Sequence, residues 1–299
     1  MVEVRKRKKS FKYHFKICYH IYKNVILCKF NFLTIKMKSG KKVERHIIEW
    51  LKDYLNKSKM QGFVVGVSGG IDSAVTSTLC AKTGFKLLCL EMPIKQQSSQ
   101  DSRASDHINW LKENFKNVSS SRISLDKVFS SFIKIIPKTE NHDAQFHSLA
   151  NTRARLRMTS LYYFAALNNY LVTGTGNKVE DFGVGFYTKY GDGGVDISPI
   201  ADLNKTQVFS LAEHLKILDS IQKAAPTDGL WEDNRTDEDQ IGASYAELEW
   251  AMEAHKNKLS KSNFTTRETE VFDIYLNFNK KNQHKMNPIP VCFIPKNFL

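Results

Sequence analysis

Residues 62–73 bring glycines, two hydroxyls and a carboxylate close together in the sequence. Gly69 and Gly70 follow Ser68, so the backbone can turn sharply there and approach a ligand. Asp72 and Ser73 come directly afterwards. Backbone N–H groups and hydroxyls gathered at one turn bind anions, most often phosphate. The alternative is a glycine turn without a ligand, but a plain turn has no use for both hydroxyls and a carboxylate.

The residues on either side of this turn must form the elements that position it. Residues 62–67 are apolar and β-branched and predict a buried strand. Residues 74–83 predict a helix, which Asp72 and Ser73 would open and Gly84 would end. A strand that leads into a helix N-terminus points unpaired N–H groups and the positive end of the helix dipole at the turn. The elements therefore fit an anion site.

The spacing matches neither of two familiar phosphate motifs. The lysine that GxxxxGK[ST] requires is missing from this turn. The glycine pairs at 174 and 176 and at 183 and 185 lack the third glycine of GxGxxG. The turn therefore belongs to another class of phosphate loop.

The rest of the chain alternates between predicted helices and strands. This indicates an α/β fold, a doubly wound and mostly parallel sheet with helices on both faces. Ligands of such sheets lie beyond the carboxyl ends of the strands, where residues 68–70 and 174–176 would meet. Residues 183–199 hold five glycines and predict a long functional loop. The further predicted elements are helices over 43–56, 99–116, 126–136, 147–168, 204–216, 237–257 and 266–280, and strands over 85–92, 123–125 and 170–175.

The net charge of +13 is concentrated at one end of the chain. Residues 1–42 hold thirteen Lys and Arg and one Glu, so the remaining residues are close to neutral. A near-neutral body argues against a general surface for polyanions, and we expect no nucleic-acid partner. No apolar run reaches the roughly 20 residues that cross a membrane, so we expect no membrane partner either.

Residues 1–36 differ in composition from the rest. They mix lysines with Phe, Tyr and Ile and contain no Gly or Pro. This segment could be a basic arm, a targeting segment, or upstream sequence that is not part of the natural product. We favour the last, because Met37 would make a sensible start before the first well-patterned helix. Residues 37–299 are then expected to form a single domain.

The five cysteines are odd in number and show no CxxC spacing. Cys80 and Cys89 lie in apolar runs and are predicted to be small core side chains. This usage indicates a reduced, cytoplasmic setting without a zinc site or a disulfide framework.

Residues 68–73 resemble the pyrophosphate loop of the ATP pyrophosphatases, which cleave ATP between the α and β phosphates. Five later segments extend the likeness, in the same order, to the ammonia-dependent NAD synthetases. Each segment alone would be a weak signal, whereas the five in order are specific, and the resemblance covers about residues 43–290. The five segments are residues 151–158, 174–180, 186–196, 225–230 and 284–285.

The resemblance implies an adenine nucleotide alpha hydrolase-like fold and a ligase that forms a carbon–nitrogen bond. Such an enzyme converts deamido-NAD to NAD with ATP, Mg²⁺ and ammonia, through an adenylated intermediate, and releases AMP and pyrophosphate. It also implies a homodimer. Only 61 residues precede Gly62, too few for the glutaminase domain of glutamine-using members, so ammonia is the expected nitrogen donor.

The resemblance further assigns roles to individual residues. Three are implied to be catalytic, and these are Ser68, Asp72 and Ser73. Those implied to bind ATP are Gly66, Val67, Ser68, Gly69, Gly70, Ile71, Asp72, Ser73, Thr175, Lys205 and Thr227. Those implied to bind deamido-NAD are Arg155, Lys189, Asp196, His284 and Lys285. Asp72 and Glu180 are implied to hold the metal.

Two departures and two alternatives accompany this reading. Many bacterial members read Thr-Asp-His-Ala-Ala-Glu where this chain has Thr-Gly-Asn-Lys-Val-Glu over residues 175–180, and there is one extra residue before Lys189. One alternative is a tRNA-modifying enzyme that adenylates its substrate, but the near-neutral body and the absence of CxxC argue against it. The other is a nucleotide-binding regulator without catalysis.

Overall fold

The computed structural model describes residues 37–94, 98–226 and 236–299. Residues 1–36, which the sequence sets apart, and Thr227 lie outside this part. Four parallel strands form one sheet in the order β3-β2-β1-β4. The strands are β1 (Gly62–Gly66), β2 (Lys86–Glu91), β3 (Val118–Arg122) and β4 (Tyr170–Val172).

Ten α-helices are present in the described residues, and most connect or flank these strands. A π-helix, Val179–Val184, follows β4. The α-helices are α1 (Gly40–Ser58), α2 (Ile71–Lys82), α3 (Ser98–Asn114), α4 (Asp126–Ile135), α5 (His142–Asn168), α6 (Lys205–His214), α7 (Asp219–Gln222), α8 (Asp237–Ile241), α9 (Tyr245–Lys256) and α10 (Thr266–Met286).

Strand side chains alternate between two cores, one on each face of the sheet. Phe63 and Val65 of β1 belong to a core that also holds residues of α1, α2, α3, α6 and α7. Val64 belongs to the opposite core, which holds Phe129 of α4 and Ala165 of α5. The β-branched, apolar run of β1 is thus covered on both sides. The predicted doubly wound α/β fold is confirmed.

A third core lies in the last part of the chain. Val179 and Val184 of the π-helix pack there with Leu248 of α9 and Phe272 of α10. This core joins the segment after β4 to the C-terminal helices. It therefore positions one side of the site described below.

The strand order changes direction between β1 and β4, because β2 and β3 lie on the other side of β1. In open α/β sheets, ligands bind in the crevice at this point, beyond the carboxyl ends of the strands. Two segments begin there. We call them the β1 loop, residues 67–70, and the β4 segment, residues 173–204.

The predicted third strand at 123–125 was wrong. The strand is Val118–Arg122, which pairs with β2 from Leu87↔Val118 to Glu91↔Arg122. It is an edge strand with three consecutive serines and no fully buried residue, so it lacks the apolar signal that the prediction relied on. The apolar residues at 123 and 125 instead pack below the start of α4.

The predicted helix over 237–257 is two helices. Gly242 ends α8 with a φ of 86°, a left-handed conformation that glycine adopts without strain. Ser244 then begins α9 with a capping box to Glu247. The other predicted elements occur within a few residues of their predicted bounds, although the strand at β4 is shorter and α10 runs on to Met286.

Candidate active site

The β1 loop is held by hydrogen bonds among its own hydroxyls and backbone. The Ser73 hydroxyl donates to the Gly70 carbonyl at 2.9 Å and accepts from the Ser68 N–H at 3.3 Å. The Ser68 hydroxyl lies 3.2 Å from the Ser73 hydroxyl and accepts from the Gly70 N–H at 3.2 Å. Gly69 has a φ of 79°, which favours glycine. The loop is thus shaped before any ligand arrives.

The helix after this loop begins without a side-chain cap. Gly70 is the N-cap of α2, and among the described residues no side-chain cap hydrogen bond is present there. The prediction that Asp72 and Ser73 open the helix from outside was wrong, because the helix begins at Ile71 and both residues lie inside its first turn. Uncapped N–H groups at the positive end of a helix are an anion site.

A buried lysine joins the β1 loop to the β4 segment. The Lys205 ammonium donates to Asp72 Oδ2 at 2.6 Å and to Glu180 Oε1 at 2.9 Å. The lysine side chain is 4% exposed, and the two carboxylates are 17% and 16% exposed. Asn204 is the N-cap of α6, where its N–H donates to Gln207 Oε1 at 2.9 Å, and Lys205 is the first helical residue. The three predicted residues therefore meet at one point.

Burial and mutual charge set the protonation of this group. Burial raises the pKa of Asp72, and the nearby Glu180 carboxylate adds to the shift. Burial opposes ionisation of Glu180 as well, but Lys205 and a hydrogen bond from Tyr245 lower its pKa. Burial alone would lower the pKa of Lys205, but the two carboxylates raise it, so the lysine is charged.

Asn177 connects the two segments from the other side. Its Nδ2 donates to Asp72 Oδ1 at 3.2 Å. Its Oδ1 accepts from the N–H groups of Val179 and Glu180 at 3.1 and 3.2 Å, at the start of the π-helix. The Tyr245 hydroxyl donates to Glu180 Oε1 at 2.6 Å. These bonds fix both carboxylates in place.

The carboxylate pair suits a hard cation. Mg²⁺ binds through one or two carboxylates together with substrate phosphates, and Asp72 and Glu180 supply that donor set beside the anion loop. In the described part of the chain, no group of three or more His, Cys, Asp or Glu could form a complete protein cage for a metal. The residues present therefore fit a magnesium ion that is shared with phosphate oxygens.

A cavity of about 180 Å³ opens beside this cluster. Burial, and then Glu180 and Asp192, raise the pKa of Asp181 to about 8. Burial also raises the pKa of Asp192. Gly174 and Gly176, the chain neighbours of the predicted ATP-binding residue Thr175, belong to the cavity wall. Its lining residues are Gly174, Gly176, Asp181, Phe182, Tyr187, Asp192, Gly193, Val195, Ser198, Lys285 and Met286.

Helix α10 anchors the β4 segment. The Lys285 ammonium donates to the carbonyls of Gly185 and Tyr187, both at 2.8 Å. The Lys189 ammonium donates to the His284 carbonyl. Arg155 of α5 donates to the Lys189 carbonyl from Nε at 3.4 Å and from Nη2 at 3.3 Å. Four of the residues predicted to bind deamido-NAD are therefore linked through this segment.

Asp196 has a different setting. Its Oδ2 accepts from the Val172 N–H at 2.8 Å, and its Oδ1 accepts from the Tyr162 hydroxyl at 3.0 Å. It thus ties the β4 segment to the end of β4 and to α5. Its carboxylate has a bracing role in addition to the predicted contact with a ligand.

Sequence reasoning missed several residues of this site. Tyr245 and Asp237, which hydrogen-bond to each other at 3.2 Å, come from the C-terminal part and gave no local signal. Asn177 and Asp192 lie inside the segments that carry the resemblance, but we assigned them no role. Asn177 lies three residues before Glu180, a spacing at which an asparagine side chain often caps a helix N-terminus. This spacing could have identified Asn177 as a cap.

Comparison with known proteins identifies a family model and several relatives that match most of the chain. A family model described as NAD synthase matches residues 43–289. The NH(3)-dependent NAD(+) synthetase of Carboxydothermus hydrogenoformans is 34% identical over 245 residues, covering 80% of this chain and 92% of that protein. The protein of the same name from Mycoplasma genitalium is 37% identical over 245 residues, covering 81% and 92%.

Solved structures agree. An NMN synthetase from Francisella tularensis has a TM-score of 0.72 and 30% identity, covering 87% of this chain and all of that one. An NH3-dependent NAD synthetase from Campylobacter jejuni, in complex with a nitrate ion, has a TM-score of 0.69 and 26% identity, covering 86% and 100%. No helix among the described residues is both long and apolar enough to span a membrane. The resemblance inferred from the motifs is confirmed, and the chain belongs to the NAD synthase family.

Proposed function

We propose that this chain converts deamido-NAD to NAD with ammonia and ATP, releasing AMP and pyrophosphate. The observation that carries the proposal is the meeting of Asp72, Lys205 and Glu180 beside the uncapped start of α2. Relatives named as NH(3)-dependent NAD(+) synthetases align over most of the chain. The reaction forms a carbon–nitrogen bond, so the enzyme is a ligase.

The carboxylate of deamido-NAD is a poor acyl donor and must first be activated. It attacks the α phosphate of ATP, and the bond from that phosphorus to the bridging oxygen of pyrophosphate breaks. The β1 loop and the N–H groups of α2 hold the departing pyrophosphate, with Ser68 and Ser73 supplying hydroxyl donors. Such positioning and charge stabilisation are most of what a protein contributes to this transfer. Ammonia then attacks the activated carbonyl, and AMP leaves.

Asp72 and Glu180 would hold Mg²⁺. When bound, the ion would neutralise phosphate charge. Lys205 lies between the same two carboxylates and belongs to the proposed ATP-binding set. Thr175 and Thr227 complete the proposed ATP-binding set.

Deamido-NAD is assigned to the side of the site formed by the β4 segment and α10. Arg155, Lys189 and Lys285 supply cations for its diphosphate, and the exposed His284 directly precedes Lys285 on α10. The carboxylate of Asp196 lies at the same edge of the sheet.

One comparison favours a second candidate substrate. The Francisella tularensis neighbour, with a TM-score of 0.72, is described as an NMN synthetase. The deamidated mononucleotide carries the same nicotinate carboxylate, so the same activation would serve it. The dinucleotide remains the main proposal because the named relatives in sequence are NAD synthetases.

The assay contains the purified chain, Mg-ATP, an ammonium salt, and either deamido-NAD or the deamidated mononucleotide. We expect NAD, AMP and pyrophosphate in equal amounts, with a higher kcat/KM for the dinucleotide. A higher kcat/KM for the mononucleotide would transfer the assignment to the second candidate. Product formation with glutamine but not with ammonium would overturn the assignment of ammonia as the nitrogen donor. The absence of product with either substrate would overturn the proposed function.

The protein is assigned as a cytoplasmic homodimer of the single domain 37–299. Helices α4 and α5 expose apolar side chains, including Ile135 and Leu167, which are 79% and 66% exposed. These side chains are candidates for the proposed interface, since large apolar patches on a surface mark protein contacts. Burial raises the pKa of the Cys80 and Cys89 thiols, so they are poor nucleophiles. Sedimentation should give a dimer mass, and a monomer mass would refute the dimer.

A further inference from the structure

Arg103 of α3 touches the β1 loop. Its Nε donates to the Gly69 carbonyl at 3.3 Å, across 34 residues of sequence. The side chain is half-buried. A guanidinium has five N–H donors in a planar fork, and this bond uses one of them. The contact therefore fixes the position of the group while its terminal nitrogens keep their donors.

Two other cations of the described residues at this edge of the sheet are paired with carboxylates. Lys205 binds two carboxylates, and Arg122 pairs with Glu91 at the end of β2. Within the described residues, Arg103 forms an ion pair with no carboxylate, and its hydrogen bond is to a neutral carbonyl. It is thus a cation at the anion loop whose charge the described residues leave unbalanced.

The reaction creates a strong demand for such a cation. Pyrophosphate leaves with more negative charge on its terminal oxygens than it had as part of ATP. The uncapped N–H groups of α2 carry only partial charges. A guanidinium binds phosphate oxygens through two parallel hydrogen bonds, which gives both charge and direction.

We propose that Arg103 binds the departing pyrophosphate, with its Nε anchored on the Gly69 carbonyl and its terminal N–H groups on phosphate oxygens. This assignment rests on the proposed function. It adds to the pyrophosphate site a residue from α3, outside the strand–loop–helix unit that forms the rest of that site. Removing the guanidinium weakens the binding of pyrophosphate selectively and leaves the binding of AMP unchanged.

The experiment compares the wild-type chain with Arg103→Gln, Arg103→Lys and the control Lys112→Gln. Lys112 lies on the same helix and is exposed, so the control removes the same charge away from the loop. Calorimetry measures the binding of inorganic pyrophosphate with Mg²⁺ and needs no turnover. Product inhibition by pyrophosphate and by AMP is measured in the amidation assay.

For Arg103→Gln we expect pyrophosphate to bind about tenfold or more weakly, because a charge-assisted hydrogen bond is lost. Inhibition by AMP should stay within about twofold. The pyrophosphate affinity of Arg103→Lys should lie between those of wild type and Arg103→Gln, because lysine keeps the charge but lacks the planar fork of N–H donors. The affinity of Lys112→Gln should match that of wild type. Pyrophosphate binding within about twofold of wild type in Arg103→Gln would overturn the proposal.

A purely structural brace gives a different result. If Arg103→Gln lowers the melting temperature and weakens AMP and pyrophosphate inhibition equally, Arg103 only supports the loop and the assignment fails. A different result would reject the proposed reaction but not the Arg103 site. Selective loss of pyrophosphate binding in a chain that makes neither NAD nor NMN would keep the Arg103 site and reject the reaction.

Discussion

The β1 loop and the β4 segment meet at the same edge of the sheet but are stabilised in different ways. The β1 loop is shaped mainly by bonds that span five residues or fewer, between Ser68, Gly70 and Ser73, with longer-range bonds from Arg103 to Gly69 and from Val67 to Leu90 at its ends. The β4 segment is held by α10, through bonds that span nearly 100 residues, such as that from Asn282 to the Val184 carbonyl at 2.8 Å. One side of the site is local and the other depends on the tertiary fold.

This difference has a consequence for stability and function. Local bonds persist as long as β1 and α2 exist, so the β1 loop should keep its shape even when the C-terminal helices loosen. The β4 segment should lose its shape when α10 shifts. Substitutions in the β1 loop should therefore affect mainly catalysis, and substitutions that release the β4 segment should affect mainly folding stability.

Asp72→Asn should reduce NAD formation by at least about a hundredfold, because it removes a charge that lies against the phosphate site and leaves Lys205 with one carboxylate. Circular dichroism should show an unchanged fold. Asp202→Asn is the control, since that side chain is 97% exposed and pairs with Lys178. Turnover near wild type in Asp72→Asn would refute its role.

Lys285→Met should lower the free energy of unfolding by about 2–3 kcal/mol, because the Gly185 and Tyr187 carbonyls lose a charged donor. Hydrogen exchange should rise across residues 183–187 and stay unchanged in the β1 loop. The control is Lys281→Met, an exposed lysine one turn earlier on α10. Equal behaviour of the two variants would show that α10 does not anchor the β4 segment.

Gly69→Ala and Gly84→Ala form a matched pair at the two ends of α2. Both glycines have a φ near 80°, so each substitution should cost about 1–2 kcal/mol of stability. Only Gly69→Ala should also reduce the amidation rate, because Gly84 lies at the end of the helix away from the site. Chemical denaturation and turnover, measured on both variants, distinguish the two effects. An equal loss of activity in Gly69→Ala and Gly84→Ala would show that helix stability, and not the shape of the loop, limits turnover.

Tyr162→Phe should lower stability at about pH 8 by about 1 kcal/mol, through loss of the hydrogen bond to Asp196. Burial and Asp196 raise the pKa of Tyr162 to about 12. The protonated phenol therefore stabilises the fold below its ordinary pKa of about 10, and this contribution is lost as the pH rises towards 12. The gap between wild type and Tyr162→Phe should shrink at about pH 11. A constant gap would contradict the shifted pKa.

The local side of the site could be predicted from the sequence because its signals are contiguous. The apolar run of β1, the glycines and the carboxylate of Asp72 all lie within residues 62–73, and each has a direct structural meaning. The capping residue Asn204 likewise predicted the start of α6, and with it the position of Lys205.

The remaining parts depend on contacts that no local pattern records. Tyr245 reaches Glu180 across 65 residues, and Arg103 reaches Gly69 across 34. The serine-rich strand Val118–Arg122 lies at the sheet edge, where pairing with β2 replaces the missing apolar pattern. The roles of Thr227 and of residues 1–36 stay predictions, because they lie outside the described residues.

A π-helix follows β4 in the stretch where this chain carries one extra residue before Lys189. A π-turn closes over five residues where an α-turn closes over four, so it takes up one more residue within nearly the same length. Glu180 stays beside Lys205 at its start, and Gly185 redirects the chain at its end with a φ of 65°. A coil of this kind has room for one extra residue, and shortening the segment by one residue should convert the coil to an ordinary helical turn.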